Sequence, residues 1–456
     1  DVVSFQLPNW AEAVIVHDAV VLLGAVSNPI VPIYRGHELE FILRQAGSRA
    51  FVVPDSFRRF DYREMAAGLA ADCEALEHIL VVGEAGPGME SFAAAVAAAE
   101  PIEPVERDPG EVVLLLYTSG TEANPKGVLH SHQTLACEAR SIIDLYRLSG
   151  EDTVFMPSPL THITGLLYGI LLPFMLGTKV VLQDVWDPDL AVELIEREGL
   201  TFTVGATPFL HGIVNAELPA DSLRIFGCGG ADVPPALIEA AARRLGLHAS
   251  RLYGSTECPT VPGTPIDAPL DRHATTDGAP IGADEVRIVD ELGAELPVGE
   301  RGELQARGPE LCLGYLDPAL NDKAFTADGW FRSGDLAVAD AQGYLRISGR
   351  AKDVILRGGE NLSAKEIEDL LFEHPEVREV AVVGYPDEVL GERSCAVVVA
   401  ARPLGLADLV DFLRGRSVAS QKLPERLVQV EALPKTASGK VQKYRLRELV
   451  REAEPA

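Results

Sequence analysis

The chain has 456 residues, enough for two to three domains and a large buried core. Its 40 Lys+Arg against 68 Asp+Glu give a formal net charge of −28. That excludes nonspecific nucleic-acid binding and docking on anionic lipid, since both need basic faces. An anionic ligand remains admissible, but only in a local positive pocket.

Ala, Val and Leu dominate 10–25 and predict a helix that runs to Asn28-Pro29. A second helix is expected over 38–45, and buried strands at 50–53 and 79–82; 83–106 reads as a loose connection. From Glu111 onward, strands and helices alternate. Strands are predicted at 111–117, 153–156, 178–182, 201–205, 223–227 and 250–253. Helices are predicted at 134–147, 164–176, 189–198, 208–216 and 234–245. This alternation implies mostly parallel sheets covered by helices, with ligands beyond the carboxyl ends of the strands. After about 262, short strands at 285–289, 302–307 and 343–348 suggest a small antiparallel, barrel-like portion. A compact α+β pattern follows Gly349-Arg-Ala-Lys-Asp353. The fold class expected is therefore α/β. Residues 1–350 are expected to form a large N-terminal domain, and residues 351–456 a small C-terminal α+β domain.

The cysteines Cys73, Cys137, Cys228, Cys258, Cys312 and Cys395 show no C-x-x-C pair and no zinc spacing, so a reducing cytoplasm is the simplest reading. The longest uncharged apolar run, 163–178, is interrupted by Gly165, Gly169, Pro173 and Gly177, which suits a buried helix better than a membrane span. The chain opens in strand-like sequence at Asp1, and residues upstream are expected.

The densest chemistry lies in Leu116-Tyr-Thr-Ser-Gly-Thr-Glu-Ala-Asn-Pro-Lys-Gly127. An apolar strand leads in and a helix is expected to follow, an arrangement that offers backbone N–H groups to a polyphosphate. Thr118, Ser119 and Thr121 add hydroxyls, Gly120 and Gly127 allow close backbone approach, and Lys126 is a mobile cation. A surface turn would explain the glycines but not three hydroxyls and a lysine behind a buried strand. No window matches G-x-x-x-x-G-K-[ST], which disfavours the usual phosphoryl-transfer NTPases.

Other stretches join it. Tyr253-Gly-Ser-Thr-Glu257 ends a strand with a carboxylate suited to Mg²⁺ alongside phosphate oxygens. Gly227-Cys-Gly-Gly-Ala-Asp232 could flank a flat ring. Trp330-Phe-Arg-Ser-Gly-Asp335 places a carboxylate suited to sugar hydroxyls, and Arg350 could hold the same sugar. Pro434-Lys-Thr-Ala-Ser-Gly-Lys440 reads as a loop delivering one ammonium. Taken singly, each has an ordinary alternative as a turn, an ion pair or a solvated lysine.

Their joint occurrence in this order, from Leu7-Pro-Asn9 to Lys440, resembles the adenylate-forming superfamily: acyl- and aryl-CoA synthetases, stand-alone adenylation domains and firefly-type luciferases. The look is closest to short- or medium-chain and alicyclic (cyclohexanecarboxylate-type) acyl-CoA ligases. The resemblance implies that a carboxylic acid, ATP and Mg²⁺ give an acyl adenylate and pyrophosphate, and that coenzyme A then takes the acyl group. It implies phosphate contacts from Thr118, Ser119, Gly120, Thr121 and Lys126. It puts Gly229, Gly230, Ala231, Tyr253 and Gly254 around adenine, and Asp335 and Arg350 on the ribose. Thr256 and Glu257 would serve the α-phosphate and metal, with Lys440 bridging carboxylate and α-phosphate. The resemblance alone implies that the small domain is mobile; Lys352 would be its hinge, and Gly358-Gly359 would line a pantetheine tunnel.

The sequence departs from the family pattern at Glu122-Ala123, where Thr-Gly is usual, and at Pro159-Leu-Thr-His162, where an aromatic precedes the histidine. His162 stands where amino-acid-activating relatives carry an aspartate, so an α-amino acid is not expected. The acid-facing set is His162, Ile163, Phe209 with Leu210, Cys228, Cys258 and Val261, which suits an uncharged alkyl, alicyclic or aryl acid. Competing readings are an enzyme loading a carrier-protein thiol, a nucleotide-binding relative without turnover, and a luciferase-type oxygenase. The partners expected are a small carboxylic acid, with no nucleic acid and no membrane span; a homodimer is among the assemblies left open.

Overall fold

Two sheets organise the first 250 residues of the computed structural model, which describes residues 1–452 except 119–124, 218–219, 231–232, 351–352, 358–359, 388–389, 417 and 437–439. The first sheet has eight strands in the spatial order Gly314–Tyr315, Lys126–Ser131, Val112–Thr118, Val26–Pro29, Val2–Phe5, Ser48–Pro54, His78–Val82 and Glu90–Ser91. The second is wholly parallel: Val180–Leu182, Val154–Met156, Phe202–Gly205, Ile225–Cys228 and His248–Arg251.

Burial of the apolar faces holds these sheets together. Phe5, Leu114 and Leu116 from the first sheet pack in one cluster with Met156, Phe202 and Leu166. Phe226, Ile195, Ile213 and Ile238 belong to a second cluster, which joins the parallel sheet to its helices. Each such side chain contributes about 1.5–3 kcal/mol when fully buried.

Three expectations need correcting. The first helix, Ala11–Leu22, stops short of Asn28-Pro29. Gly24 takes a left-handed turn (φ 69°) and the chain resumes as the strand Val26–Pro29, paired in parallel with Val2–Phe5.

The second correction concerns the Leu116–Gly127 stretch. Before the expected helix stands a strand that was not foreseen, Lys126–Ser131, which folds back antiparallel on Val112–Thr118 with Thr118 opposite Lys126. The expected helix follows at His132–Tyr146, capped by Ser131 and Thr134. The two strands that flank the stretch are therefore the arms of a β-hairpin. Apolar Val128 and Leu129 carry the strand, which strand–loop–helix reasoning passed over.

Third, the antiparallel portion contains a strand beyond the three expected, Phe331–Ala339, which runs through Ser333-Gly-Asp335. Its four strands are Glu285–Val289, Arg301–Arg307, Phe331–Ala339 and Leu345–Arg350. Gly334 sits inside the third at φ 68°, a conformation that favours glycine, so the strand continues through the apparent break. The expected helix over 164–176 is present but carries a π-helical turn at Leu167–Leu171.

Beyond Arg350 a further sheet begins at Val354. Its members are Glu360–Ser363, Val354–Arg357, Gly391–Ala400, Val377–Asp387 and Arg426–Gln429. It has its own apolar clusters, centred on Leu371, Val382 and Leu409 on one side and Val383, Val397 and Leu446 on the other. A hydrogen bond from Ser363 Oγ to the Ser348 carbonyl (2.8 Å) ties it to the preceding sheet. Among the described residues, no helix is long and apolar enough to cross a membrane.

Candidate active site

The predicted glycine- and hydroxyl-bearing motifs all follow the carboxyl ends of strands. Tyr253-Gly-Ser-Thr-Glu257 leaves the strand His248–Arg251 and is pinned at several points. The Ser255 N–H donates to the Cys258 carbonyl (2.8 Å), and the Cys258 N–H to Ser255 Oγ (3.2 Å). His130 Nε2 meets the Thr256 carbonyl at 2.7 Å, and the Cys312 N–H donates to the Glu257 carbonyl at 2.8 Å. A Cβ at Gly254 would overlap the Pro259 carbonyl, so only glycine allows this path.

Burial of the His130 ring lowers its pKa to about 4, against the opposing influence of the Thr256 carbonyl and Glu257, so the imidazole is neutral at pH 7. An N–H must point at the Thr256 carbonyl for that contact to be a hydrogen bond. Nδ1, 3.0 Å from Thr134 Oγ1, is then the acceptor. His130 lies on the return strand of the hairpin. It therefore couples Lys126's strand to the Glu257 loop, a role nothing in the linear motif revealed.

Glu257 Oε1 accepts from the Tyr315 hydroxyl at 2.6 Å. The Tyr315 ring lies 5.9 Å from Lys126 Nζ, and its short strand pairs with Lys126–Ser131. Tyr315 thus joins Lys126 to Glu257, and sequence reasoning missed it. The only available signal was an aromatic hydroxyl after Gly314, too common a pattern to single out.

Asp335 and Arg350 face each other as register partners on adjacent antiparallel strands, with Arg350 Nε 3.0 Å from Asp335 Oδ1. Asp335 is buried, and its other oxygen accepts from the Tyr253 hydroxyl at 2.5 Å. Burial and the Asp335 carboxylate push the Tyr253 phenol well above its ordinary range, so it acts as a donor. Although burial opposes it, Arg350 is raised by Asp335, Tyr253, Asp353 and Glu257 and is fixed as a cation. Tyr253, expected beside adenine, is therefore tied by its hydroxyl to Asp335, which was expected on the ribose. The Gly229 N–H donates to the Gly205 carbonyl (3.1 Å), and a Cβ there would come within 2.5 Å of the Leu252 carbonyl. Gly230 follows at φ 77°.

Lys440 arrives from the far end of the chain. Thr436 holds its base: the Lys440 N–H donates to Thr436 Oγ1 (3.1 Å), and the Thr436 N–H to the Lys440 carbonyl (2.7 Å). Burial and then Arg350 lower the Lys440 ammonium from its ordinary value, while Asp335 and Glu257 act the other way. Burial and then Lys440 lower His162 to about 4. Lys440 thus shares one electrostatic neighbourhood with Glu257, Asp335, Arg350 and His162. Three cations (Lys126, Arg350, Lys440) gather around two carboxylates in a chain of net charge −28, which is the local positive pocket an anionic ligand requires.

The expected acid-facing residues divide. His162 caps the helix that starts at Ile163, its Nδ1 accepting from the Thr164 N–H (3.3 Å), and it is partly exposed. Phe209 is also partly exposed and stands edge-on to Trp186 at 4.8 Å. The other five, Ile163, Leu210, Cys228, Cys258 and Val261, are buried in three separate clusters, Leu210 sharing that of Cys228. Ile163 packs with Met156 and Phe202, and Cys228 with Phe226 and Ile238. Cys258 and Val261 lie with Ala306 and Phe331. The Cys228 thiol, pushed up to about 12 chiefly by burial, is bonded to Thr207 and is no nucleophile. Trp186 and Gly205, whose Cβ would approach Phe209 to 3.0 Å, were not anticipated. Ser119, Gly120, Thr121, Ala231, Lys352, Gly358 and Gly359, with the variant pair Glu122-Ala123, lie outside the described residues.

Comparison with known proteins accords with this geometry. The AMP-binding enzyme family matches residues 1–316, and the AMP-binding enzyme C-terminal domain matches residues 366–440. The medium-chain fatty-acid–CoA ligase of Escherichia coli is 38% identical over 98% of this chain and 81% of its own. The 2-hydroxy-7-methoxy-5-methyl-1-naphthoate–CoA ligase of Streptomyces carzinostaticus is 36% identical over 98% of this chain and 84% of its own. Among solved structures, ATP-bound MatB from Rhodopseudomonas palustris superposes with a TM-score of 0.90 at 30% identity, covering 99% of this chain and 89% of that one. On these matches, the chain belongs to the AMP-binding enzyme family.

Proposed function

We propose that the protein joins an uncharged, apolar carboxylic acid to coenzyme A in two steps, with AMP and pyrophosphate as the other products. The observation that carries this reading is the position of Lys440, brought from the last segment of the chain to the Glu257–Asp335–Arg350 cluster. A protein that only bound nucleotide would gain nothing from such an ammonium.

In the first step a carboxylate oxygen attacks the α-phosphorus, and the bond to the bridging oxygen of pyrophosphate breaks. The acid is already ionised at pH 7, so no general base is required. What the chain supplies is position and charge. Asp335, oriented by Tyr253 and Arg350, is placed to accept from ribose hydroxyls. Lys126, with Thr118 opposite it, serves the departing phosphates. Lys440 lies where negative charge would build up between carboxylate and α-phosphate. Glu257, partly exposed and bonded to Tyr315, fits a magnesium ion that takes most of its ligands from phosphates, as magnesium prefers. Such an ion supplies charge neutralisation to the polyphosphate. In the second step the thiolate of coenzyme A attacks the acyl carbon and AMP leaves; Lys352 is the proposed hinge for this half and Gly358-Gly359 the proposed channel.

For the acid, the partly exposed His162 and Phe209 and the stacked Trp186 favour an alkyl, alicyclic or aryl group without charge. The relatives named as fatty-acid and naphthoate ligases support that range. The test is product analysis with ATP, Mg²⁺ and coenzyme A over acids from acetate through octanoate, cyclohexanecarboxylate and benzoate to amino acids. The expected result is AMP, pyrophosphate and acyl-CoA in equal amounts with one class of apolar acid. Adenylate formation with no turnover on coenzyme A would redirect the second step to a carrier-protein thiol.

A further inference from the structure

One polar side chain near the amino terminus lies buried between the two large sheets. Asn9 follows the strand Val2–Phe5 of the eight-stranded sheet and is 8% exposed. Its Nδ2 group donates to the Ser158 carbonyl at 2.8 Å, the Gln183 carbonyl at 3.1 Å and, more weakly, the Met156 carbonyl at 3.4 Å. Its Oδ1 accepts from the Leu160 N–H at 2.8 Å. All partners lie about 150 to 175 positions away in sequence, on the turns that leave two strands of the parallel sheet. The neighbouring Trp10 adds a bond from Nε1 to Asp184 Oδ2 at 3.0 Å.

The turn so held leads directly into the proposed acid site. Within it, the His162 N–H donates to the Pro159 carbonyl at 3.0 Å, and the Leu166 N–H to the His162 carbonyl at 2.9 Å. A Cβ at Gly165 would overlap the Pro159 carbonyl, so the helix start sits hard against the turn. A shift at Ser158–Leu160 must therefore carry His162 and the first helical turn with it. Among the described residues, no comparable bond runs from Asn9 to the hairpin strands, the Glu257 loop or the Asp335–Arg350 pair.

We infer that Asn9 is a positioning residue for the acid half of the site: it clamps the 156–160 turn that sets the place of His162, and so governs recognition of the carboxylic acid rather than of ATP. The inference rests on the function proposed above. Its chemistry is specific to an amide, because one end must give hydrogen bonds to carbonyls while the other takes one from an N–H. Asn9→Asp keeps the shape but sets a carboxylate against three carbonyl oxygens; Asn9→Leu abolishes both ends.

The test compares wild-type protein with Asn9→Asp and Asn9→Leu, using the best acid from the panel. The KM for the acid should rise roughly tenfold or more, the effect of leaving buried polar groups unpaired. The KM for ATP should stay within about threefold. Hydrogen exchange in the ligand-free protein should speed up over 156–166 and not over 126–131. Asn9→Gln, which retains the amide on a longer arm, stands in if the other two do not fold. Equal movement of both KM values, no movement of either, or unchanged exchange over 156–166 would overturn the inference. If wild type turns over no acid, the proposed function fails, and the exchange result alone then decides the clamp.

Discussion

The proposed nucleotide end and the proposed acid end of the site are built on different principles. At the nucleotide end, Tyr253, Asp335 and Arg350 fix one another through charged and short hydrogen bonds, and Glu257 is tied to Tyr315. At the acid end, apolar packing does most of the work, with Phe209 and Trp186 edge to face and His162 held by a helix cap. Fixed polar partners suit a ligand that never changes. A wall of packed apolar groups can be reshaped by single substitutions, which suits a family whose acids differ.

Substitutions can break that contrast. The largest effect is expected from Lys440→Ala, which removes charge stabilisation used only in adenylation. Its rate should fall by roughly 10²–10³, while thioester formation from supplied acyl adenylate should change little; stopped-flow assays of the two half-reactions would read this. Asp335→Ala leaves Arg350 and the Tyr253 hydroxyl without their shared acceptor. It should raise the KM for ATP about tenfold to a hundredfold and that for the acid hardly at all, as steady-state kinetics would show.

Tyr315→Phe removes one hydroxyl from Glu257 and should cost about 1–2 kcal/mol in Mg²⁺·ATP binding, measured by calorimetry. His162, lowered to about 4, stays neutral through the assay range. His162→Gln should therefore leave the shape of the pH–rate profile between about pH 5 and 8 unchanged, even if the KM for the acid moves. An inflection lost in that variant would show that the ring titrates there.

The smallest effect concerns stability. Glu138 on the helix His132–Tyr146 faces Glu310, the Tyr168 hydroxyl and Thr260. Asp284 also faces Glu310, which is bonded in turn to Ser141. Burial, then Glu310, raises Glu138 well above the carboxylate range, and the same two causes raise Asp284 to about 9. The unfolded chain releases these protons near pH 4 while the folded chain keeps them. This contribution to stability is therefore complete below about pH 4 and declines as pH rises toward 9. Thermal melts should show a shallower decline for Glu138→Gln than for wild type.

Much of this was legible in the sequence, because strand-end motifs are local. Tyr253–Glu257, Asp335, Arg350 and Lys440 each sit in a short stretch whose residue types match their chemistry, and the structure brings them together. What could not be read depends on distance. Tyr315 and His130 reach Glu257 and Thr256 only because the strand Lys126–Ser131 returns along Val112–Thr118, and no strand was expected between the hydroxyl-rich stretch and the helix that follows. Cys228, Cys258 and Val261 looked like pocket residues because they are small or apolar, yet the same property sent them into separate cores. Asn9 gave no local sign of its partners, which lie about 150 residues on.

The central claim is that the assembled site makes an acyl adenylate. Acid-dependent exchange of labelled pyrophosphate into ATP, measured with Mg²⁺ and without coenzyme A, tests it most directly. The account predicts label in ATP only when an apolar acid is present, and its loss in Lys440→Ala. Exchange that ignores the acid, or acid-dependent ATP cleavage yielding ADP and phosphate with no exchange, would contradict it.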